Sequence, residues 1–158
     1  MIENYLQMLK ESMQSKLSIL EQIELKSKEQ EYMLKKEECN LMTIDQNMDE
    51  KAELIKQLEL LDKGFETLYE KIKQELLINK ERYTHQIRDI QELISCVMEK
   101  SATIEAVEAR NKITMEKKFK NERKDIRVKK TAVNAAYNYY QVANKLNITT
   151  PQFLDKKK

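Results

Sequence analysis

Residues 48–76, MDEKAELIKQLELLDKGFETLYEKIKQEL, decide the fold class of this chain. Apolar side chains return there at steps of three and four, which is the spacing of one stripe along an α-helix. The stripe consists of Met48, Leu54, Ile55, Leu58, Leu61, Phe65, Leu68, Ile72 and Leu76. Gly64 interrupts it at a cost of about 1 kcal/mol relative to alanine. It either permits a close helix approach or is tolerated on the outside, and we expect the second.

Helix-breaking residues are almost absent from the rest of the chain. One glycine and one proline occur in 158 residues, and residues that favour strands never cluster. Charged residues make up 35% of the chain and the mean hydropathy is -0.74, so apolar residues suffice for narrow stripes and not for a thick core. The sequence therefore predicts an all-α fold, an elongated antiparallel helical bundle or coiled coil of three long helices plus a C-terminal amphipathic helix.

The first helix is predicted over residues 2–38. Its stripe begins Ile2, Leu6, Leu9, Met13, continues Leu17, Leu20, Ile23, and ends with Met33 and Leu34. Ser27 and Gln30 place polar groups on it, so we expect looser or wetter packing there. Residues 39–47 are the predicted turn, with a second helix from about residue 44 capped by Thr43 in capping-box spacing with Gln46, or alternatively by Asp45.

A third stripe continues the second in phase. It runs Tyr83, Ile87, Ile90, Ile94, Val97, Ile104, Val107, Met115 and Phe119. The pattern allows either one helix of about seventy residues, roughly 100 Å long, or a turn near residues 78–81. We predict the turn, because three helices folded back can cover one another's stripes within one chain. The predicted body is residues 1–121, with helices at about 2–38, 44–78 and 81–121.

Residues 122–158 form a predicted C-terminal amphipathic helix and tail. Small residues alternate with tyrosine on its stripe, which is typical of a recognition helix, because small residues admit a close partner and tyrosines supply rigid contact area. The same stripe would also serve a fourth helix packed permanently on the body. Pro151 and the residues after it follow the end of the stripe.

Charge is distributed unevenly although the net charge is only +2. Residues 1–109 carry 15 basic and 23 acidic side chains, and residues 110–130 carry 10 basic and 3 acidic ones. A basic nucleic-acid arm is disfavoured, because acidic residues interrupt the run and no aromatic residue lies between Lys120 and Lys130 for a base to stack on. With no secretion signal and no long apolar run, we expect a cytoplasmic protein without membrane insertion. Cys39 and Cys96 are expected to be reduced thiols.

The residues needed for catalysis are nearly missing. His85 is the only histidine, so neither a histidine-based triad nor the paired Glu-x-x-His ligands of a di-iron bundle is available. One glycine cannot build a phosphate-binding loop. We expect His85 to be an exposed side chain forming at most a weak pair with Asp89. The sequence predicts no enzyme activity, no catalytic or metal-binding residues and no cofactor.

The 51–69 part of the second stripe, Lys51-x-x-Leu54-Ile55-x-x-Leu58-x-x-Leu61-Asp62-x-x-Phe65-x-x-Leu68-Tyr69, is preceded by Asp45 and Asp49. It is followed by a long third helix and a tyrosine-bearing tail. In this pattern the chain resembles FlgN-type flagellar export chaperones. The resemblance implies a cytosolic antiparallel helical protein of bacteria that binds the terminal helices of hook-filament junction proteins and delivers them to the flagellar type III export apparatus.

In that family the C-terminal amphipathic segment captures the client. Carried over to this sequence, the implied partner-binding residues are Val128, Ala132, Ala135, Ala136, Tyr139, Tyr140, Val142, Ala143 and Leu146. The alternatives are a structural coiled-coil protein whose stripes serve homodimerisation and, less favoured, a nucleic-acid-binding helical protein. As a chaperone the chain would be a monomer or a weak homodimer.

Overall fold

The computed structural model describes residues 1–121 and Tyr139, with side chains described up to residue 118 and at Tyr139. These residues form three long helices: α1 (Ile2–Leu34), α2 (Leu41–Ile78) and α3 (Thr84–Asn121). A short 3₁₀ helix, Lys80–Tyr83, precedes α3. No strand occurs in this part of the chain, so the all-α prediction is confirmed there. Each helix has 33 to 38 residues and is about 50 to 57 Å long at 1.5 Å per residue.

Contacts between side chains fix the directions of the three helices. Lys16 Nζ lies 2.8 Å from Asp62 Oδ1, and Lys26 contacts Glu50, so α1 and α2 are antiparallel. Lys100 Nζ lies 3.2 Å from Glu24 Oε1, and Lys118 Nζ donates to the Lys36 carbonyl, so α1 and α3 are parallel. α2 and α3 both pack along α1 but hardly approach each other. α1 is therefore the central element of the described chain.

The connection between α1 and α2 lies earlier in the chain than predicted and is capped by a different residue. α1 ends at Leu34 rather than near residue 38, and α2 begins at Leu41. Asn40 is the N-cap: its Oδ1 accepts from the backbone N–H groups of Met42, at 3.0 Å, and Thr43, at 3.4 Å. The predicted caps Thr43 and Asp45 are thus wrong, because both already lie inside the helix. Burial, helped by Asp49, raises the pKa of Asp45.

The chain turns between α2 and α3. α2 ends at Ile78 and Asn79 is its C-cap. The Asn79 N–H donates to the Glu75 carbonyl at 2.9 Å, and the Asn79 carbonyl accepts from the Arg82 N–H at 3.0 Å. Thr84 Oγ1 then donates to the Glu81 carbonyl at 2.9 Å. Two helices therefore replace the single seventy-residue helix that the pattern also allowed.

The buried residues of every helix alternate at steps of three and four. They are Ile2, Leu6, Leu9, Met13, Lys16, Leu20, Ile23, Ser27, Gln30 and Leu34 in α1, and Ile44, Met48, Lys51, Ile55, Leu58, Asp62, Phe65, Tyr69, Ile72 and Leu76 in α2. In α3 they are Ile87, Ile90, Ile94, Val97, Ser101, Ile104, Glu108, Asn111 and Met115. Asn47 and Val107 are buried beside this pattern. The predicted stripes are largely correct, but polar residues occupy several of their positions.

Two expectations for α1 are wrong. Leu17 is only half-buried, and Lys16 takes the buried position beside it because it pairs with Asp62. Ser27 and Gln30 are not loosely packed or wet: both side chains are fully buried, because hydrogen-bond partners from α2 and α3 meet them.

Gly64 lies on the outside of α2, as expected. A Cβ atom built there meets nothing within 4 Å, so no helix approaches closely at this point. In residues 1–121, none of the helices combines the length and apolarity needed to cross a bilayer.

Candidate binding site

Five polar side chains from all three helices meet inside the described chain. Ser27 and Gln30 come from α1, Lys51 from α2, and Glu108 and Asn111 from α3. Each occupies a position in the three-and-four spacing, so each lies on the face of its helix that is buried against the other helices. We call these five residues the polar layer. A layer of this kind needs every group to be partnered, since burying an unpaired polar or charged group is costly.

Lys51 is the centre of the polar layer. Its side chain is 0% exposed. The ammonium donates to Glu108 Oε1 at 2.9 Å and to Gln30 Oε1. Burial lowers the pKa of Lys51, and the Glu108 carboxylate opposes that shift. The site therefore holds a desolvated cation stabilised by one carboxylate and one amide.

The remaining hydrogen bonds of the polar layer join α3 to α1 beside Lys51. Glu108 Oε1 also accepts from the Ser27 hydroxyl. Asn111 Nδ2 donates to the Ser27 carbonyl at 3.0 Å and to Gln30 Oε1 at 3.4 Å. Glu108 Oε2 is buried and has no hydrogen-bond partner in the part of the chain that the structure describes. One acceptor at this site is thus left unused by residues 1–118.

Tyr139 covers the Lys51 ammonium. Its ring centroid lies 4.4 Å from Lys51 Nζ, within the range in which an aromatic face attracts a cation. Tyr139 itself is 1% exposed and belongs to the same buried cluster as the apolar residues of α1–α3. The face of its ring replaces the water that an exposed ammonium would bind.

Tyr139 is the only predicted partner-binding residue that lies within the described part of the chain. Its position against α2 means that a partner cannot reach it unless it first moves away from Lys51. The other eight predicted residues lie outside the described residues: Val128, Ala132, Ala135, Ala136, Tyr140, Val142, Ala143 and Leu146.

Other candidate chemistry is sparse in residues 1–118. His85 is 84% exposed and its Nε2 is 4.0 Å from Asp89 Oδ2, the weak surface pair that was expected. Within the described residues no group of three histidine, cysteine, aspartate or glutamate side chains could hold a metal ion. Cys39, in the α1–α2 connection, is half-buried and Cys96, on α3, is exposed, both as thiols.

Basic residues at the start of the predicted nucleic-acid arm contact the chain itself. Arg110 Nε lies 2.9 Å from Glu31 Oε2, and Lys118 Nζ donates to the Lys36 carbonyl at 2.8 Å. These contacts join α3 to the end of α1. Residues 122–130 of the arm lie outside the described residues.

Sequence reasoning did not find the polar layer as a site, although it placed Ser27 and Gln30 on the first stripe. A signal was present: Lys51, Glu108 and Asn111 also keep the spacing of the buried positions. What the pattern lacks is the pairing, because Ser27 and Glu108 are 81 residues apart in the chain and meet only after it has turned twice.

No family model, curated protein or solved structure significantly matches the chain. Fold and site therefore define its class by themselves. In the described residues this is an all-helical protein with a charged, aromatic-covered layer inside its helix contacts.

Proposed function

We propose that this protein is a cytosolic, non-enzymatic chaperone of bacterial flagellar export. In this proposal its C-terminal segment, a fourth, amphipathic helix beside a coiled-coil-like body, binds the apolar terminal helices of hook-filament junction proteins. The segment shields them until the export apparatus receives them. The resemblance of residues 45–69 and of the tyrosine-bearing tail to FlgN-type chaperones motivates this function.

The contact of Tyr139 with Lys51 bears most directly on this proposal; a fourth helix packed permanently on the body would make the same contact, and the binding experiments below separate the two. A residue from the proposed client-binding segment rests in a site formed by three helices of the body. A chaperone that must release its client needs a place where its own apolar residues are covered between rounds, because an exposed apolar stripe promotes aggregation. The 4.4 Å cation-π contact is of moderate strength, about 0.5 to 2 kcal/mol, so a client helix of comparable chemistry can compete with it.

The homodimer alternative is less well supported. In that alternative the apolar stripes join two copies of the chain. In the described residues the stripes of α1, α2 and α3 lie in one buried cluster within a single chain. Light scattering at micromolar concentration separates the two proposals, because a structural coiled-coil homodimer would not be monomeric there.

The client-binding surface is tested with the full chain and a purified peptide of a junction protein's terminal helix. We expect Val142→Asp to weaken binding at least tenfold, because a carboxylate would be desolvated on the proposed stripe. Asn144→Asp introduces the same charge off the stripe and should bind as the wild type does. Calorimetry measures both. Equal affinities of the two variants would refute the proposed surface, and no binding by the wild type would refute the client.

A truncation series provides an independent test. Ending the chain after Ile126 should abolish binding of the junction-protein helix, whereas ending it after Thr150 keeps every proposed contact residue and should not. Circular dichroism must show that both truncated chains remain helical. Unchanged binding after removal of residues 127–158 would show that the surface lies elsewhere.

A further inference from the structure

The Lys51 ammonium has the properties of a site that selects an aromatic side chain. It is fully buried, and its hydrogen bonds run to Gln30 Oε1 and Glu108 Oε1. The Tyr139 ring lies on it at 4.4 Å. An aliphatic side chain could exclude water equally well, but only an aromatic face offers the negative electrostatic potential that a desolvated cation attracts.

The occupant comes from far along the sequence. Lys51 lies near the start of α2 and Tyr139 lies 88 positions later, beyond the end of α3. Within residues 1–118, the α2 and α3 helices that supply Lys51 and Glu108 hardly approach each other, so an outside side chain can reach the ion pair between them. Residues of the three described helices thus surround the Lys51–Glu108 pair, and Tyr139, from beyond α3, packs over it.

We propose that the polar layer is a binding site for an aromatic side chain carried on an apolar helix, and that Tyr139 occupies it when no client is present. The second part rests on the proposed function: the client's helix brings an aromatic residue of its own, displaces Tyr139 from Lys51 and takes its place. The released C-terminal segment is then available to cover the client.

The positive charge of Lys51 explains why the side chain that replaces Tyr139 must also be aromatic. When Tyr139 leaves, the Lys51 ammonium loses the aromatic face that covers it. An apolar aliphatic side chain would leave the ammonium with fewer favourable contacts, whereas a second aromatic ring restores the one that was lost. The site therefore discriminates among apolar helices by the presence of a correctly placed aromatic residue.

The site itself is tested without any client. Tyr139→Ala in the full chain vacates it, and a labelled peptide of residues 128–146 supplies the occupant in trans, either as the natural sequence or with leucine in place of Tyr139. We expect the vacated chain to bind the tyrosine peptide about tenfold more tightly than the leucine peptide. That preference should disappear when Lys51→Met is added to Tyr139→Ala.

Two results would overturn the site. One is equal affinity of the vacated chain for the two peptides, and the other is a tyrosine preference that survives Lys51→Met. If Tyr139→Ala is not helical by circular dichroism, Tyr139→Leu is used instead, because it removes the cation-π contact and keeps an apolar side chain. The affinities of this variant for the tyrosine and leucine peptides are then compared in the same way.

Displacement by the client is followed with a fluorescent reporter. The chain contains no tryptophan, so Tyr139→Trp introduces a single one at the site. We expect its emission to be blue-shifted and protected from acrylamide, and to become red-shifted and quenchable when a junction-protein helix peptide without tryptophan binds.

The outcomes separate the two proposals. A peptide that binds while the tryptophan stays protected overturns the displacement and leaves the chaperone function intact. A peptide that does not bind at all refutes the chaperone function and the displacement together, and the trans-peptide comparison then decides the aromatic site on its own.

Discussion

Lys16 and Asp62 form a buried ion pair outside the polar layer. Nζ and Oδ1 are 2.8 Å apart and both side chains are at most 10% exposed. Burial raises the pKa of Asp62, and Lys16 opposes that shift. Such pairs contribute little net stability, because desolvation offsets the attraction, but removing one partner leaves a buried charge.

We therefore predict that Asp62→Ala lowers the free energy of unfolding by about 3 kcal/mol, whereas Lys16→Met combined with Asp62→Leu is neutral or stabilising. Urea unfolding measures both. Glu70→Ala is the matched control, because Glu70 and Lys73 form an exposed pair at 3.7 Å whose loss should cost under about 0.5 kcal/mol. A double variant as unstable as Asp62→Ala would contradict the prediction.

Lys51 should make stability depend on alkaline pH. Because burial lowers its pKa, the folded chain binds fewer protons than the unfolded chain between the lowered pKa and the ordinary value of 10.5. Stability contributed by this group therefore rises with pH across that window. We predict that the wild type gains stability relative to Lys51→Met combined with Glu108→Leu as the pH is raised from 8 to 10.

Urea unfolding at a series of pH values checks this prediction. The control is Lys71→Met, which changes an exposed lysine on the same helix and should follow the wild type at every pH. A constant difference between the wild type and the Lys51–Glu108 double variant would contradict a lowered pKa of Lys51, because the attraction of Glu108 would then offset the effect of burial.

The polar residues also mark the limit of what the sequence could predict at this scale. Spacing placed Ser27 and Gln30 on the buried side of α1, but their partners could not be read from it. Glu108 and Lys51 are far away in sequence, and either could have been an ordinary surface charge. Which polar groups meet is fixed only once the chain has turned twice and the three helices have packed in register.

At the level of the helix, the start of α2 depends on Asn40. Its Oδ1 accepts from two backbone N–H groups that have no partner within the helix. We predict that Asn40→Ala costs about 1 kcal/mol and that Asn40→Asp, which keeps the acceptor, costs much less. Thermal or urea unfolding measures the loss.

Thr43→Ala distinguishes this cap from the one that the sequence favoured. Thr43 is exposed and lies in the first turn, so its replacement should cost less than that of Asn40. The reverse order would restore Thr43 as the cap. The capping-box pattern misled here because several turn-forming residues follow one another and spacing alone does not rank them.

Gly64 is a site for stabilisation. It lies in the middle of α2, its backbone φ is not positive, and an added Cβ meets nothing within 4 Å. We predict that Gly64→Ala raises the free energy of unfolding by about 0.5 to 1 kcal/mol, because alanine loses less backbone entropy in a helix. Ala102→Gly, at an exposed position of α3, is the reverse control and should lose a similar amount.

Across the whole molecule, the buried positions differ between the two ends of the helices. One end, which we call the apolar end, buries nonpolar residues at Ile2–Met13 of α1 and Ile87–Ile94 of α3, with Phe65, Ile72 and Leu76 of α2. The other end contains the polar layer. Apolar burial resists opening more than a polar layer does, because the opened polar groups regain water.

We predict that amide hydrogen exchange is slowest at the apolar end and that Tyr139→Ala raises exchange mainly around residues 27–30 and 108–111. Mass spectrometry of exchanged peptides measures it. A uniform rise along all three helices would mean that Tyr139 stabilises the fold as a whole rather than covering one layer.

The number and order of the helices were more predictable from the sequence than the polar contacts between them. The length of the chain, its scarcity of glycine and proline, and the apolar spacing favour three helices, since folding back lets the stripes of α1, α2 and α3 cover one another within one chain. The C-terminal stripe is a different case: its residues other than Tyr139 lie outside the described residues, and its role stays a prediction.

The polar layer also constrains how this chain can diverge. Sliding α3 by one turn against α1 would carry Glu108 away from Ser27, toward Ile23 in one direction, and would leave Lys51 without its counterion, so the layer favours a single axial alignment. Descendants of the same ancestor should accordingly retain or exchange residues 51 and 108 as a pair. Lineages that turn one of them into an aliphatic residue should change the other as well, and should then tolerate a non-aromatic residue at 139.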